Sequence, residues 1–138
     1  IPGDVKVSMC EKAGIQISEI ERQNTGLLHA KLGAYVACNE YGVKDEDILM
    51  SIRSHTTGRP SMSLLEKIIY IADFMEPGRK ELPNMADVRK LAFEDIDKCL
   101  YRILKDSLAY LKSRDFAIDP MTEETYNYYK AIMEGELA

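Results

Sequence analysis

Between Asp95 and Ser113, Ile96, Leu100, Ile103, Leu104, Ser107, Leu108 and Leu111 recur at steps of three and four. At about 100° per residue they draw one continuous stripe, the pattern of a helix with a single face turned to a core. A stripe that long has to be covered by other elements of matching shape. The remaining sequence offers helices for the purpose: nowhere do apolar and polar residues alternate as in a half-buried strand, and no internal repeat or low-complexity tract occurs. The pattern predicts an all-α chain, a bundle of about six or seven helices. At 138 residues it is one domain's worth, spanning 1–138.

The other helices are marked by their ends. Asp4 to Ala13 reads as a short helix with Asp4 as N-cap and Gly14 closing it, and Ile15 to Gln23 as a weaker helical stretch. A helix from about Gly26 to Tyr41 ends at Gly42, and Asp45 starts another that carries Ile48, Leu49 and Ile52 and ends at His55. Ser63 and Glu66 form a capping box for the next, which Pro77-Gly78 stops. Its expected apolar face is Leu64, Leu65, Ile68, Ile71, Ala72 and Met75, with Ile69 at the edge and Asp73 one turn on. Asn84 to Phe93 is a short amphipathic helix, and Thr122 is expected to cap a last helix bearing Tyr126, Tyr129 and Met133, a cluster that suits packing.

Composition narrows the function. The chain is 46% hydrophobic and 30% charged with a net charge of −5, which disfavours broad nucleic-acid or membrane-surface binding. Cys10, Cys38 and Cys99 are odd in number and form no CxxC pair, so buried reduced thiols in a cytoplasmic setting are expected and a zinc finger is excluded. No apolar run approaches the length of a membrane span.

Chemistry concentrates between His55 and Arg79. A carboxylate beside an apolar stripe, as expected for Asp73, needs an ion-pair partner, hydrogen bonds or a cation. Thr56-Thr57-Gly58-Arg59 can present backbone N–H groups and a guanidinium to a phosphate, and Arg79 offers a second guanidinium from the Pro77-Gly78 turn; a surface or capping role is the alternative for both arginines. His29, near the first turn of its helix, is a candidate metal ligand or a structural histidine.

Leu27-Leu28-His29-Ala30 with Gly33-Ala34, Ile52-Arg53 through His55-Thr56-Thr57-Gly58-Arg59, Met62 through Ile68, and Ala72-Asp73 with Glu76 to Arg79 together resemble the HD superfamily of metal-dependent phosphohydrolases. Within it the chain looks like the YqeK-type bacterial symmetrical diadenosine tetraphosphate hydrolases. The resemblance implies an HD-domain helical bundle with His29, His55 and Asp73 at a metal site, and Thr56 and Arg79 on the polyphosphate of a bound nucleotide. It also implies that Phe116-Ala117-Ile118-Asp119-Pro120-Met121 closes on that nucleotide, although family members often carry His where Asp119 stands.

The implied reaction is symmetric hydrolysis of diadenosine tetraphosphate to two ADP, with Asp73 binding metal and orienting water. Mixed His and Asp ligands suit iron first, then manganese, cobalt or zinc. The expected partners are a dinucleoside polyphosphate substrate and ADP product, without nucleic acid or membrane, and a homodimer is compatible. Two rivals stand beside this reading: another HD-type nucleotide phosphohydrolase, and a non-catalytic nucleotide-binding module. The HD doublet that names the superfamily is absent, since His29 and His55 are the only histidines. That absence, with the missing initiator Met, predicts an N-terminally truncated domain that binds metal weakly, hydrolyses negligibly and exposes an apolar groove.

Overall fold

The computed structural model describes residues 1–76 and 84–135. Helices α1 (Gly3–Ala13), α2 (Glu19–Gln23), α3 (Leu28–Asn39) and α4 (Glu46–Arg53) are followed by α5 (Leu64–Phe74), α6 (Met85–Ala92), α7 (Ile96–Ser113) and α8 (Pro120–Met133). A single 3-10 turn, Thr25–Leu27, leads into α3. Among the described residues there is no strand, and no helix is long and apolar enough to cross a membrane.

The stretch expected to be weakly helical, Ile15 to Gln23, holds α2, which brings the described α-helices to eight against the expected six or seven. Its signal is a capping box: Ser18 Oγ accepts from the Glu21 N–H, and Glu21 accepts from the Ser18 N–H. Two caps differ from the expected ones. Pro2, not Asp4, precedes α1 and makes no side-chain cap, which leaves Asp4 in the first turn facing the helix dipole. At α8 the cap is Asp119, which accepts from the Met121 N–H at 2.9 Å with Pro120 at the first helical position, so Thr122 lies inside the helix.

The main core lies among α5, α6, α7 and α8. Tyr70, Ile71, Val88, Cys99, Leu100, Ile103, Leu104 and Tyr129 bury together there, with Met62 from the preceding loop. A smaller cluster of Cys10, Leu28 and Leu32 joins α1 to α3, and Ile15 and Ile17 pack on it. None of the three cysteines is in a disulfide; Cys10 and Cys99 are buried.

Helix α5 does not bury the face expected of it. Glu66, Tyr70 and Ile71 point inward, while Leu64 is 63%, Ile68 46% and Ile69 37% exposed. A two-class apolar pattern counts Glu66 and Tyr70 as outward-facing. Glu66 is nevertheless satisfied by ion pairing, and Tyr70 buries an apolar ring, so the helix is rotated toward them. Asp73 is exposed, and one turn after the buried Tyr70 it stands at the edge of the face that α5 does bury.

Candidate functional site

The site forms where the start of α3, the turn after α4, the second half of α5, the second half of α7 and the segment before α8 converge. The 3-10 turn leaves the Gly26 carbonyl at the mouth of α3, where it accepts from His29 Nδ1 at 2.5 Å. Helix α4 ends at Arg53 with Ser54 as its C-cap, and His55 follows, with Nδ1 donating to the Ile52 carbonyl at 2.6 Å. A carbonyl only accepts, so both rings carry a proton on Nδ1, and in the neutral form each turns an Nε2 lone pair outward.

Those lone pairs face each other. The two Nε2 atoms are 2.9 Å apart, the rings meet edge-on at 67°, and Thr56 Oγ1 stands 3.3 Å from His29 Nε2. Two acceptors at that distance cannot hydrogen-bond to one another, but ligands about 2.1 Å from a shared cation and at right angles around it sit about 3.0 Å apart. The pair therefore fits one side of a metal site. Among the described residues, no group of three or more His, Cys, Asp or Glu side chains closes around an ion. Asp73 lines the same cavity as the histidines.

The turn that carries His55 is fixed from two sides. Gly58 has φ 69°, donates its N–H to the Ser54 carbonyl at 2.8 Å, and lies where a Cβ would meet Thr125 Cγ2 at 2.8 Å. Both the left-handed conformation and the closeness of α8 therefore call for glycine. On the other side, Arg59 Nε and Nη2 donate to Glu66 Oε2 and Oε1 at 2.8 and 2.6 Å. Burial pushes the Glu66 carboxyl up, but the Arg59 hydrogen bonds, the Ser63 N–H and the guanidinium charge more than reverse that, leaving it below the ordinary carboxylate range. Arg59 is thus an anchor of the turn, with two of its donor groups committed inside the protein.

The residues expected at the site divide between two adjoining cavities. His29, His55, Thr56, Asp73, Ala117 and Asp119 line the larger, of about 790 Å³. Thr56, Gly58, Arg59, Asp119 and Met121 line the smaller, of about 330 Å³. Phe116 stands 54% exposed and meets Tyr110 edge-on with centroids 6.4 Å apart; Ile118 and Pro120 line neither cavity. Arg79 lies outside the described residues.

Several lining residues carried no signal in the sequence pattern. Tyr70 is one turn before Asp73, and its hydroxyl pKa is raised by burial and then by the Asp73 charge, which keeps it an O–H donor. Asp106 and Tyr110 come from α7, as does Ser107, which the apolar stripe assigned to the core. Asp106 sits on what reads as a solvated face, yet it accepts from Arg102 Nε at 3.0 Å and lines the larger cavity.

No family model matches the chain. It is 47% identical over 105 residues to a symmetrical bis(5'-nucleosyl)-tetraphosphatase of Bacillus subtilis, a match covering 76% of this chain and 56% of that protein. A protein of the same name from Staphylococcus aureus is 40% identical over 105 residues, 75% of this chain and 54% of that one. The chain thus spans a little over half the length of these curated relatives. Its fold superposes with a TM-score of 0.90, at 38% identity, on a crystal structure from Clostridium acetobutylicum described as a predicted HD superfamily hydrolase involved in NAD metabolism; the match covers 96% of this chain and 69% of that one. With so much of both chains aligned and the expected histidines paired in space, this chain belongs to the HD superfamily of hydrolases.

Proposed function

We propose that the chain carries the nucleotide-hydrolysing site of a symmetrical dinucleoside tetraphosphatase, which cleaves diadenosine tetraphosphate to two ADP. The observation that carries this reading is the His29–His55 pair, its Nε2 lone pairs converging at 2.9 Å on a cavity that also receives Thr56 and Asp73. The tetraphosphatase relatives support the substrate class.

In this reading His29 and His55 hold a divalent or trivalent metal, iron before manganese, cobalt or zinc, and Asp73 is the third protein ligand available from the cavity wall. A bound metal would supply Lewis-acid polarisation of phosphoryl oxygens and acidify a water molecule. Asp73, on the wall of the same cavity, would orient the attacking water, whose proton passes to the leaving ADP oxygen or to solvent. The water oxygen bonds to one of the two central phosphorus atoms, and the bridging oxygen leaves with the other ADP. Thr56 offers its hydroxyl to a phosphate oxygen beside the histidines, and Arg79 is the guanidinium assigned to the polyphosphate. The Gly26 and Ile52 carbonyls keep the ring orientation constant while the phosphates change charge. The setting is cytoplasmic.

The test is a product analysis with diadenosine tetraphosphate and mononucleotides in manganese or ferrous buffer. ADP as the sole nucleotide product from the dinucleotide supports the reading. Turnover of mononucleotides with the dinucleotide left intact overturns it in favour of another nucleotide phosphohydrolase.

A further inference from the structure

The two cavities share a wall made of Leu27, Thr56, Thr57 and Asp119, and their described lining residues differ in charge. Among its described lining residues the larger cavity carries Asp73, Asp106 and Asp119 with the two histidines, and no Lys or Arg. The smaller carries Lys31, Arg53 and Arg59 against Glu21 and Asp119, with the hydroxyls of Ser18 and Ser54. A dinucleoside tetraphosphate is long, anionic along its middle and bulky at both ends. One nucleotide half beside the histidines leaves the other to cross the Thr56–Thr57 wall, toward Lys31, Arg53 and Arg59.

We propose that the smaller cavity is a second nucleotide subsite, which takes the distal nucleoside diphosphate half of the substrate while the half beside the histidines occupies the larger cavity. This rests on the hydrolase reading above and assigns the polarity of substrate binding within it. At about 330 Å³ the cavity is at the lower end of the range for small-molecule sites, enough for one nucleotide half and too small for the whole dinucleotide.

Its three cations are held in different ways. Lys31 Nζ is placed by the buried Glu21 at 2.7 Å and the Gln16 carbonyl at 2.8 Å, and Arg59 is placed by Glu66. Arg53 alone of the three is held by an exposed partner, Glu46, which is 72% exposed and 2.9 Å away. An exposed pair of this kind contributes little and yields readily to a phosphate that offers several acceptor oxygens. Arg53 is therefore the side chain of the three that can turn to the ligand at least cost.

The experiment is calorimetric titration of the 138-residue chain and of its Arg53→Glu variant, in manganese buffer, with ADP and with a diadenosine tetraphosphate analogue whose central bridging oxygen is replaced by methylene, which the hydrolase reading leaves uncleaved. Arg53→Glu breaks no buried contact, so the fold should persist, as checked by circular dichroism. The expected result is dinucleotide affinity lowered about tenfold or more, with the affinity for the first ADP changed less than about twofold. Unchanged affinity for both ligands overturns the subsite, and so does an equal loss for both, which would place Arg53 in a field common to the whole site. Failure of the unaltered chain to bind ADP at all overturns the nucleotide reading itself, and that failure is visible before any variant is made.

Discussion

Arg59 grips Glu66 with two donors at once, Nε to Oε2 at 2.8 Å and Nη2 to Oε1 at 2.6 Å, although Glu66 is 1% exposed and the Arg59 side chain 39%. The same carboxylate accepts from the Ser63 N–H at 3.3 Å, and the Ser63 hydroxyl in turn donates to Asp47 at 2.5 Å. One acid therefore joins the turn after α4 to the start of α5, and Ser63 extends the connection to α4 itself.

Glu66→Gln should lower stability by about 2–3 kcal/mol, read as a shift in the urea midpoint at constant slope. That reaches only the low end of the roughly 3–5 kcal/mol for a broken buried ion pair, because the Arg59 end keeps some water. The pH dependence has a definite sign. A carboxyl whose pKa is depressed by folding binds fewer protons folded than unfolded, so its contribution is complete above the ordinary value of 4.5 and is lost as pH falls through the lower folded value. The wild-type midpoint should fall more steeply than the variant's on acidification from 4.5 down through the folded value; parallel curves there would show that the pair does not stabilise the fold.

Gly58→Ala should cost about 1–3 kcal/mol. The new methyl would meet Thr125 Cγ2 at 2.8 Å on a backbone already left-handed. Thermal unfolding measures the loss, and the double variant with Thr125→Ser should recover part of it by removing the opposing methyl. No recovery would assign the whole cost to the backbone.

Tyr129→Phe should destabilise by about 1–3 kcal/mol, because the buried Met62 N–H donates to the Tyr129 hydroxyl at 3.0 Å and would lose that acceptor. Burial first, then nearby acidic charge, pushes the Tyr129 hydroxyl up to about 12, against the Met62 hydrogen bond, so it should stay silent in a spectroscopic titration while exposed tyrosines ionise. Ionisation of all eight tyrosines together near pH 10 would contradict the buried position.

His29→Ala and His55→Ala should each reduce manganese or cobalt affinity by about tenfold or more and leave the thermal midpoint within about 2 °C, since His29 is exposed and His55 half-buried. Equilibrium dialysis against the metal decides it. Retained affinity in both variants would mean that the facing Nε2 atoms are not ligands.

The helices were largely legible because their ends are written locally. Ser63 with Glu66, Asp45 before α4 and Gly14 after α1 all stand where the sequence puts them, and α7 buries Leu100, Ile103, Leu104 and Leu108 of its stripe. The rotation of α5 was not legible, because the sign of Glu66 depends on Arg59, whose arrival is a tertiary event. The candidate site divides along the same line. His29, His55, Thr56 and Asp73 carry the family motifs and do share one cavity, whereas Tyr70, Asp106 and Tyr110 have side chains common in any amphipathic helix and gain meaning only from what they face. Arg59 was legible as a site residue but not as one tied internally to Glu66.

The contact of Gly58 with Thr125, and of Met62 with Tyr129 across 67 residues, sets an order of assembly as well as a shape. During synthesis from the N-terminus, α3, α4 and α5 leave the ribosome well before α8, and neighbours such as α3 and α4 need only short chain closures. The turn bearing His55 meets its far wall only when the last helix emerges. A nascent or C-terminally clipped chain could thus hold most of its helical content while the histidine pair stays unset, and competence to bind a ligand would arrive late and abruptly, with the final helical turns.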